Sequence, residues 1–242
     1  MQVPLPRWFA HRGGGALAPE NTLAGIRLAA RLGYKAVEFD VMLSGDGTPV
    51  LIHDETLERT TNGVGCVCNT ADSILFSLDA GAGERIPRFA EAAALCRELG
   101  LLANVEIKPA TGHEAPTARL VARLTAELWR GAVVQPLISS FSMEALEIAR
   151  DVAPEIRRGV LYEVVPADWL AEMNRLQALS LHCDANLLGD DVLSVAAERH
   201  IPVLCYTVNT PEQAKKLLMR GVSAMFTDSL DLFADETSPY KR

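Results

Sequence analysis

Between residues 36 and 43 the chain reads Ala-Val-Glu-Phe-Asp-Val-Met-Leu, an apolar run with two carboxylates set into it two residues apart. Seven further stretches have the same strand-like character: 8–13, 101–108, 133–141, 157–163, 178–185, 202–208 and 223–228. Between them apolar residues recur at helical spacing, which predicts helices over about 21–32, 88–99, about 115–130, 143–150, 167–177, about 189–198, 211–219 and 229–234. In the first helix Leu23, Ile26 and Ala30 share a face, with Asn21 as N-cap and Gly33 as the stop.

Strands that alternate with helices pair in parallel and carry the helices outside the sheet. Eight such units in 242 residues predict an α/β fold, the (β/α)8 TIM barrel. An open, doubly wound sheet is the alternative, but Gly13-Gly14-Gly15 lacks the dinucleotide-binding spacing. One run breaks the alternation. Residues 49–54, Pro-Val-Leu-Ile-His-Asp, follow the second strand after only five residues, Ser-Gly-Asp-Gly-Thr. That is too short for a parallel crossover and suits a hairpin. The run therefore returns antiparallel, with Leu43 opposite Pro49. Residues 55–87, rich in Thr, Asn and Gly, become a small insertion after strand two. No linker separates it, so residues 1–242 are expected to form one catalytic domain with 55–87 as its cap.

Composition narrows the class. With 49% hydrophobic and 22% charged residues the chain can build a core, which excludes a disordered polymer. No apolar run reaches membrane-spanning length, and the N-terminal residues contain none of signal-peptide length. A formal charge of −8 without a Lys/Arg cluster argues against a nucleic-acid partner. The five cysteines are odd in number, and Cys66-Val67-Cys68 lacks a second pair at zinc-site spacing. Reduced thiols and a cytoplasmic location are the expectation. The oligomeric state is left open, a homo-oligomer included.

In a TIM barrel the chemistry sits at the C-terminal ends of the strands. Strand one ends in His11-Arg12; strand two carries Glu38 and Asp40 on one face; the hairpin returns His53 beside them; strand three ends in Glu106 and Lys108. Three carboxylates at one barrel mouth repel one another, and a divalent cation removes the conflict. All-oxygen ligands favour Mg2+ or Ca2+. Arg12 and Lys108 suit an anionic ligand such as phosphate. The histidines suit acid and base work near neutral pH. Phe141, His182 and Tyr206, on later strands, are expected in the substrate pocket, where core packing is the competing reading. Cys183 and Cys205 read as core fillers, His113 and His200 as solvated. Together the parts suggest metal-assisted hydrolysis of a phosphate ester.

The same residues resemble a known family. His11-Arg12-Gly13, Pro19-Glu20-Asn21-Thr22, Glu38-Phe39-Asp40-Val41, His53-Asp54 and the following residues 56–65 look like the N-terminal signature of the glycerophosphodiester phosphodiesterases. The likeness continues in residues 105–108, 140–141, 206–209 and 226–228 and is strongest to the short bacterial members. It implies a barrel with a cap after strand two, and metal-ligand roles for Glu38, Asp40 and Glu106. It implies acid/base roles for His11 and His53, and phosphate contacts for Arg12 and Lys108. The implied reaction converts glycerophosphodiesters, such as glycerophosphocholine or glycerophosphoethanolamine, to sn-glycerol 3-phosphate and an alcohol. Departures are Tyr206 for Trp, Phe89 for Leu, and Asp184 where members of this class often carry Asn. A lysophospholipase D or phospholipid-cyclising lyase on the same barrel is the other enzymatic reading, disfavoured by the polar insertion. A non-catalytic phosphate binder is disfavoured because the five core positions are all filled.

Overall fold

The computed structural model describes residues 5–237, so the two ends of the expected domain, 1–4 and 238–242, lie outside the described residues. The elements run β1 (Trp8–Ala10), α1 (Leu23–Arg31), β2 (Ala36–Leu43), β3 (Pro49–Leu51), α2 (Asp72–Leu75), α3 (Phe89–Leu99), β4 (Leu102–Ile107), α4 (Glu114–Leu128), β5 (Leu137–Ser140), α5 (Met143–Val152), β6 (Arg157–Tyr162), α6 (Trp169–Leu176), β7 (Ser180–Asp184), α7 (Asp190–Glu198), β8 (Val203–Tyr206), α8 (Pro211–Met219), β9 (Ala224–Thr227) and α9 (Leu230–Thr237). The strands pair in the order β1-β9-β8-β7-β6-β5-β4-β2, and β1 pairs back onto β2. Eight parallel strands thus close into a (β/α)8 barrel. β3 stands outside that ring as an antiparallel partner of β2, with Leu43 opposite Pro49 as the hairpin arithmetic requires.

Strand parity sorts the residues into layers. On β2 and β4 the outward set Val37, Phe39, Val41, Ala103, Val105 and Ile107 packs under the helices in the main core. The inward residues Ala36 and Leu102 join Phe9, Leu137, Leu204, Ala224 and Phe226 in a second apolar cluster inside the barrel. Moving up β4 the inward positions change from Leu102 to Asn104, then Glu106, then Lys108. The barrel is therefore apolar at its base and charged at its mouth.

Several elements are shorter than the pattern suggests, for local reasons. β1 stops at Ala10 because Arg12 and Gly13 both take positive φ, 49° and 79°, and turn the chain. The turn packs closely: a Cβ on Gly14 would come within 2.9 Å of the Gly25 Cα on α1. β5 begins only at Leu137, after Pro136, which has no N–H to offer the ladder. α1 is capped by Thr22, whose hydroxyl accepts from the Gly25 N–H at 3.2 Å, and not by Asn21. Residues 55–87 build a third apolar cluster on the hairpin, in which Leu57, Val67, Leu75 and Ile86 pack with Met42, Val50 and Ile52. The five cysteines are unpaired.

Candidate active site

At the mouth β2 and β4 run in register, with Glu38 beside Asn104 and Asp40 beside Glu106. This places the carboxylates of Glu38, Asp40 and Glu106 so that one oxygen from each lies within 4.8 Å of the others, with all three buried. Arg12, held by the turn after β1, donates its backbone N–H to Glu38 Oε2 at 2.8 Å and holds its guanidinium Nε 3.8 Å from Asp40 Oδ2. Lys108, two residues past Glu106, sets its Nζ 3.6 Å from Asp40 Oδ1 and 3.5 Å from Glu106 Oε1.

The three acids titrate differently because their neighbours differ. Burial, reinforced by Asp40 and Glu106, raises the Glu38 carboxyl well above the ordinary value. Burial and Asp40 likewise push Glu106 up, to about 8. Asp40 is buried as deeply, but Lys108, His53, Arg12 and the Asn21 amide outweigh burial and hold it below its usual range. Glu106 Oε1 is buried and is met by the Lys108 ammonium at the long distance of 3.5 Å. A hard divalent cation fits this set: it would meet three buried oxygen donors that lie within 4.8 Å of one another, and offset the mutual repulsion that Lys108 and Arg12 offset only in part.

Each histidine is backed by an aspartate. His11 Nδ1 lies 2.7 Å from Asp228 Oδ1, and its Nε2 is turned to within 3.8 Å of Glu38. Asn209 holds Asp228 from both sides, donating from Nδ2 to Oδ2 at 3.2 Å and accepting the Asp228 N–H at 2.8 Å. His53 Nδ1 meets Asp54 Oδ1 at 2.6 Å, while Lys108 Nζ lies 2.6 Å from Nε2. An ammonium can only donate, so in this arrangement Nε2 accepts and the ring proton sits on Nδ1. Burial outweighs Asp40 and Asp54 and keeps the His53 imidazole below its ordinary pKa. From the insertion, Arg59 forks onto both Asp54 and Glu20, tying the cap to the β1 turn.

These groups face one cavity. Its wall takes in nine of the ten residues singled out from the sequence: His11, Arg12, Glu38, Asp40, His53, Glu106, Lys108, Phe141 and Tyr206. The tenth, His182, is a correction. It is fully buried below the cavity, with Nε2 at 2.9 Å from Ser180 Oγ and its ring against Phe226. Gly159 on the neighbouring strand leaves it room; a Cβ there would come within 2.5 Å of His182 Nε2. Burial holds this imidazole neutral, with its pKa down at about 3.

Other members of the site were not singled out. Asn104, Leu161, Thr207 and Phe226 complete the wall. Asn21 is the most consequential. It is buried at φ 57°, donates from Nδ2 to Asp40 Oδ2 at 2.8 Å, and accepts the Asp40 N–H at 3.1 Å. A signal was present: an Asn in a Gly- and Pro-rich turn is one of the few residues that tolerate a left-handed backbone.

Comparison with known proteins gives a consistent result. Residues 11–232 match the model of the glycerophosphoryl diester phosphodiesterase family. A glycerophosphodiester phosphodiesterase of Caldanaerobacter subterraneus is 32% identical over 231 residues, covering 91% of this chain and 93% of the relative. Among solved structures, an Oleispira antarctica phosphodiesterase in complex with the product sn-glycerol-3-phosphate is 35% identical with a TM-score of 0.90, covering 96% of each chain. A glycerophosphodiester phosphodiesterase from Thermotoga maritima is 25% identical with a TM-score of 0.78, covering 97% of this chain and all of the other.

Proposed function

Because the chain belongs to the glycerophosphoryl diester phosphodiesterase family, we propose that it hydrolyses glycerophosphodiesters such as glycerophosphocholine and glycerophosphoethanolamine to sn-glycerol 3-phosphate and an alcohol. The observation that carries this reading is the meeting, in one cavity, of a buried three-carboxylate cluster with two histidines, each held by its own aspartate. Glu38, Asp40 and Glu106 would hold Mg2+ or Ca2+. A cation held there would supply Lewis-acid charge stabilisation to the phosphate.

Arg12 and Lys108 bind the remaining phosphate charge, Arg12 through its fork and Lys108 as a point charge. One histidine takes a proton from the nucleophile and the other gives one to the departing alcohol. Asp228 and Asp54 fix the ring that each presents. The nucleophile is the substrate's own glycerol 2-hydroxyl, which gives a cyclic phosphate that water then opens. A tethered hydroxyl gains an effective molarity of about 10^5 M or more over free solvent. Residues 55–87 act as the cap of this single catalytic unit, and Phe141 and Tyr206 wall the substrate pocket.

The test is release of glycerol 3-phosphate from glycerophosphocholine with Mg2+, with Ca2+ and with EDTA, for the wild type and for Glu38→Ala and His11→Ala. Release that needs the ion and is lost in both variants is expected. Release that survives EDTA or either substitution would refute the assigned roles. A substrate lacking the 2-hydroxyl should bind and hardly turn over; brisk cleavage of it would eliminate the cyclic route.

A further inference from the structure

The cavity has two unlike halves. Its Arg and Lys residues, with both histidines, come from the β1 end, the hairpin and the β4 end: Arg12, Lys108, His11 and His53. Across the mouth stand Phe141, Leu161 and Tyr206. The rings of Phe141 and Tyr206 meet edge-on, with centroids 5.9 Å apart and planes at 80°. The Tyr206 hydroxyl donates to the Tyr162 carbonyl at 2.9 Å, which fixes the ring, and Phe141 is 45% exposed to the mouth.

Charge on this second half has one sign. The segments that lead from the strand tips into the next helices are 141–142, 163–168, 184–189, 207–210 and 228–229. They hold Glu163, Asp168, Asp184 and Asp228, and neither Lys nor Arg. Asp228 is committed to His11. Among the described residues Asp184 forms no ion pair with a cation. It ends β7 beside Tyr206 in the ladder, and its neighbour Cys183 lies in the outer core, so Asp184 takes the inward side of the strand. The one hydrogen bond of its carboxylate among the described residues is local, Oδ1 accepting the Asn186 N–H at 2.7 Å. Tyr206 feels the result: burial first, then the charge of Asp184, drives its phenol strongly toward the protonated form.

The phosphate is drawn to the cationic half, and the glycerol 2-hydroxyl has to stay beside phosphate and histidines. The head-group alcohol is then the end that projects toward the open, aromatic half. Aromatic rings with the Asp184 carboxylate on the neighbouring strand attract a cation, and an ammonium bearing methyl groups best of all. Resting on the diesterase reading above, we infer that this chain selects diesters whose head-group alcohol is cationic, with Asp184 and the Phe141–Tyr206 pair as the specificity determinants.

The experiment compares kcat/KM for glycerophosphocholine with that for glycerophosphoglycerol, whose head group is uncharged, in the wild type, Asp184→Asn and Asp184→Glu. Asn at 184 can still accept the Asn186 N–H, so the turn is kept while the charge is lost. The wild type should favour the choline diester about tenfold. Asp184→Asn should bring the ratio to within about threefold of unity, and Asp184→Glu should restore it. Equal rates in the wild type, or a ratio that Asp184→Asn leaves intact, would overturn the inference while the diesterase reading stands. If neither diester turns over, the diesterase reading falls, and calorimetric binding of the same two compounds decides the selection alone. About tenfold tighter binding of the choline diester supports it; equal or absent binding overturns it.

Discussion

Replacing Asn21 by Ala tests whether the site is held together by hydrogen bonds that local sequence conceals. Asn21 is 2% exposed and makes two reciprocal bonds to Asp40, one to the carboxylate and one from the backbone N–H. Three losses follow in Asn21→Ala. A charge-assisted hydrogen bond disappears, of the kind that contributes about 1.5–3 kcal/mol. The Asp40 N–H is left buried without an acceptor, at a cost of about 1–3 kcal/mol. Ala is also a poorer occupant than Asn of the left-handed backbone, by up to about 1 kcal/mol. Because water can enter from the cavity and take over part of this bonding, the expected net loss is about 3 kcal/mol. The assay is urea unfolding of the ion-free protein at pH 7, with equal m-values required before midpoints are compared. Asn21→Asp separates the contributions, since it keeps both the acceptor and the backbone tolerance but adds a fourth acid to the cluster. That acid destabilises as it ionises, so Asn21→Asp should lose more stability at about pH 8 than at about pH 5. A loss below about 0.5 kcal/mol in Asn21→Ala would refute the idea that Asn21 braces the cluster.

Three further outcomes are expected. Cation binding near pH 7 should release protons, because Glu38 and Glu106 are raised in the ion-free site while ligation needs carboxylates; apparent affinity should fall as pH is lowered, and calorimetric enthalpies that do not depend on the buffer's ionisation enthalpy would count against it. Asp54→Asn removes a carboxylate that stabilises the His53 imidazolium, so the His53 pKa should drop further below its ordinary value; imidazole NMR should show the titration moving to more acid pH, and an unmoved or alkaline-shifted curve would contradict the arrangement. Gly159→Ala should destabilise by about 1–3 kcal/mol through overpacking against His182, and in the Gly159→Ala/His182→Ala double variant the two costs should sum to less than the separate losses; strict additivity in chemical denaturation would mean the side chains do not compete for space.

The barrel was legible because its two periodicities are strong and alternate eight times, and because the short connector before residue 49 admits only a hairpin. The acidic cluster was legible for a related reason. Glu38 and Asp40, like Glu106 and Lys108, lie two apart on strands, and strand parity converts that spacing into a shared face without any knowledge of tertiary structure. Element ends are less legible: the strand-like pattern extends β1 and β5 past the points where a positive φ at Arg12 and the missing N–H of Pro136 interrupt pairing.

Residues whose role depends on a distant partner or on depth escaped the pattern. Asn21 reads locally as a helix cap, and its true partner, Asp40, is 19 residues away. Arg59 reads as one charge in a polar loop, yet it links the cap to Glu20. His182 shows the limit of parity most clearly. Its inward direction follows correctly from the strand, but parity does not say whether an inward residue reaches the cavity wall, and the space opened by Gly159 on the adjacent strand lets the imidazole pack against Phe226 in the core. Asp184 comes two residues later on the same face, so it stands one step nearer the mouth than His182. Height along the strand thus separates two inward residues that share a face: one fills the core, and the other stands a step nearer the mouth.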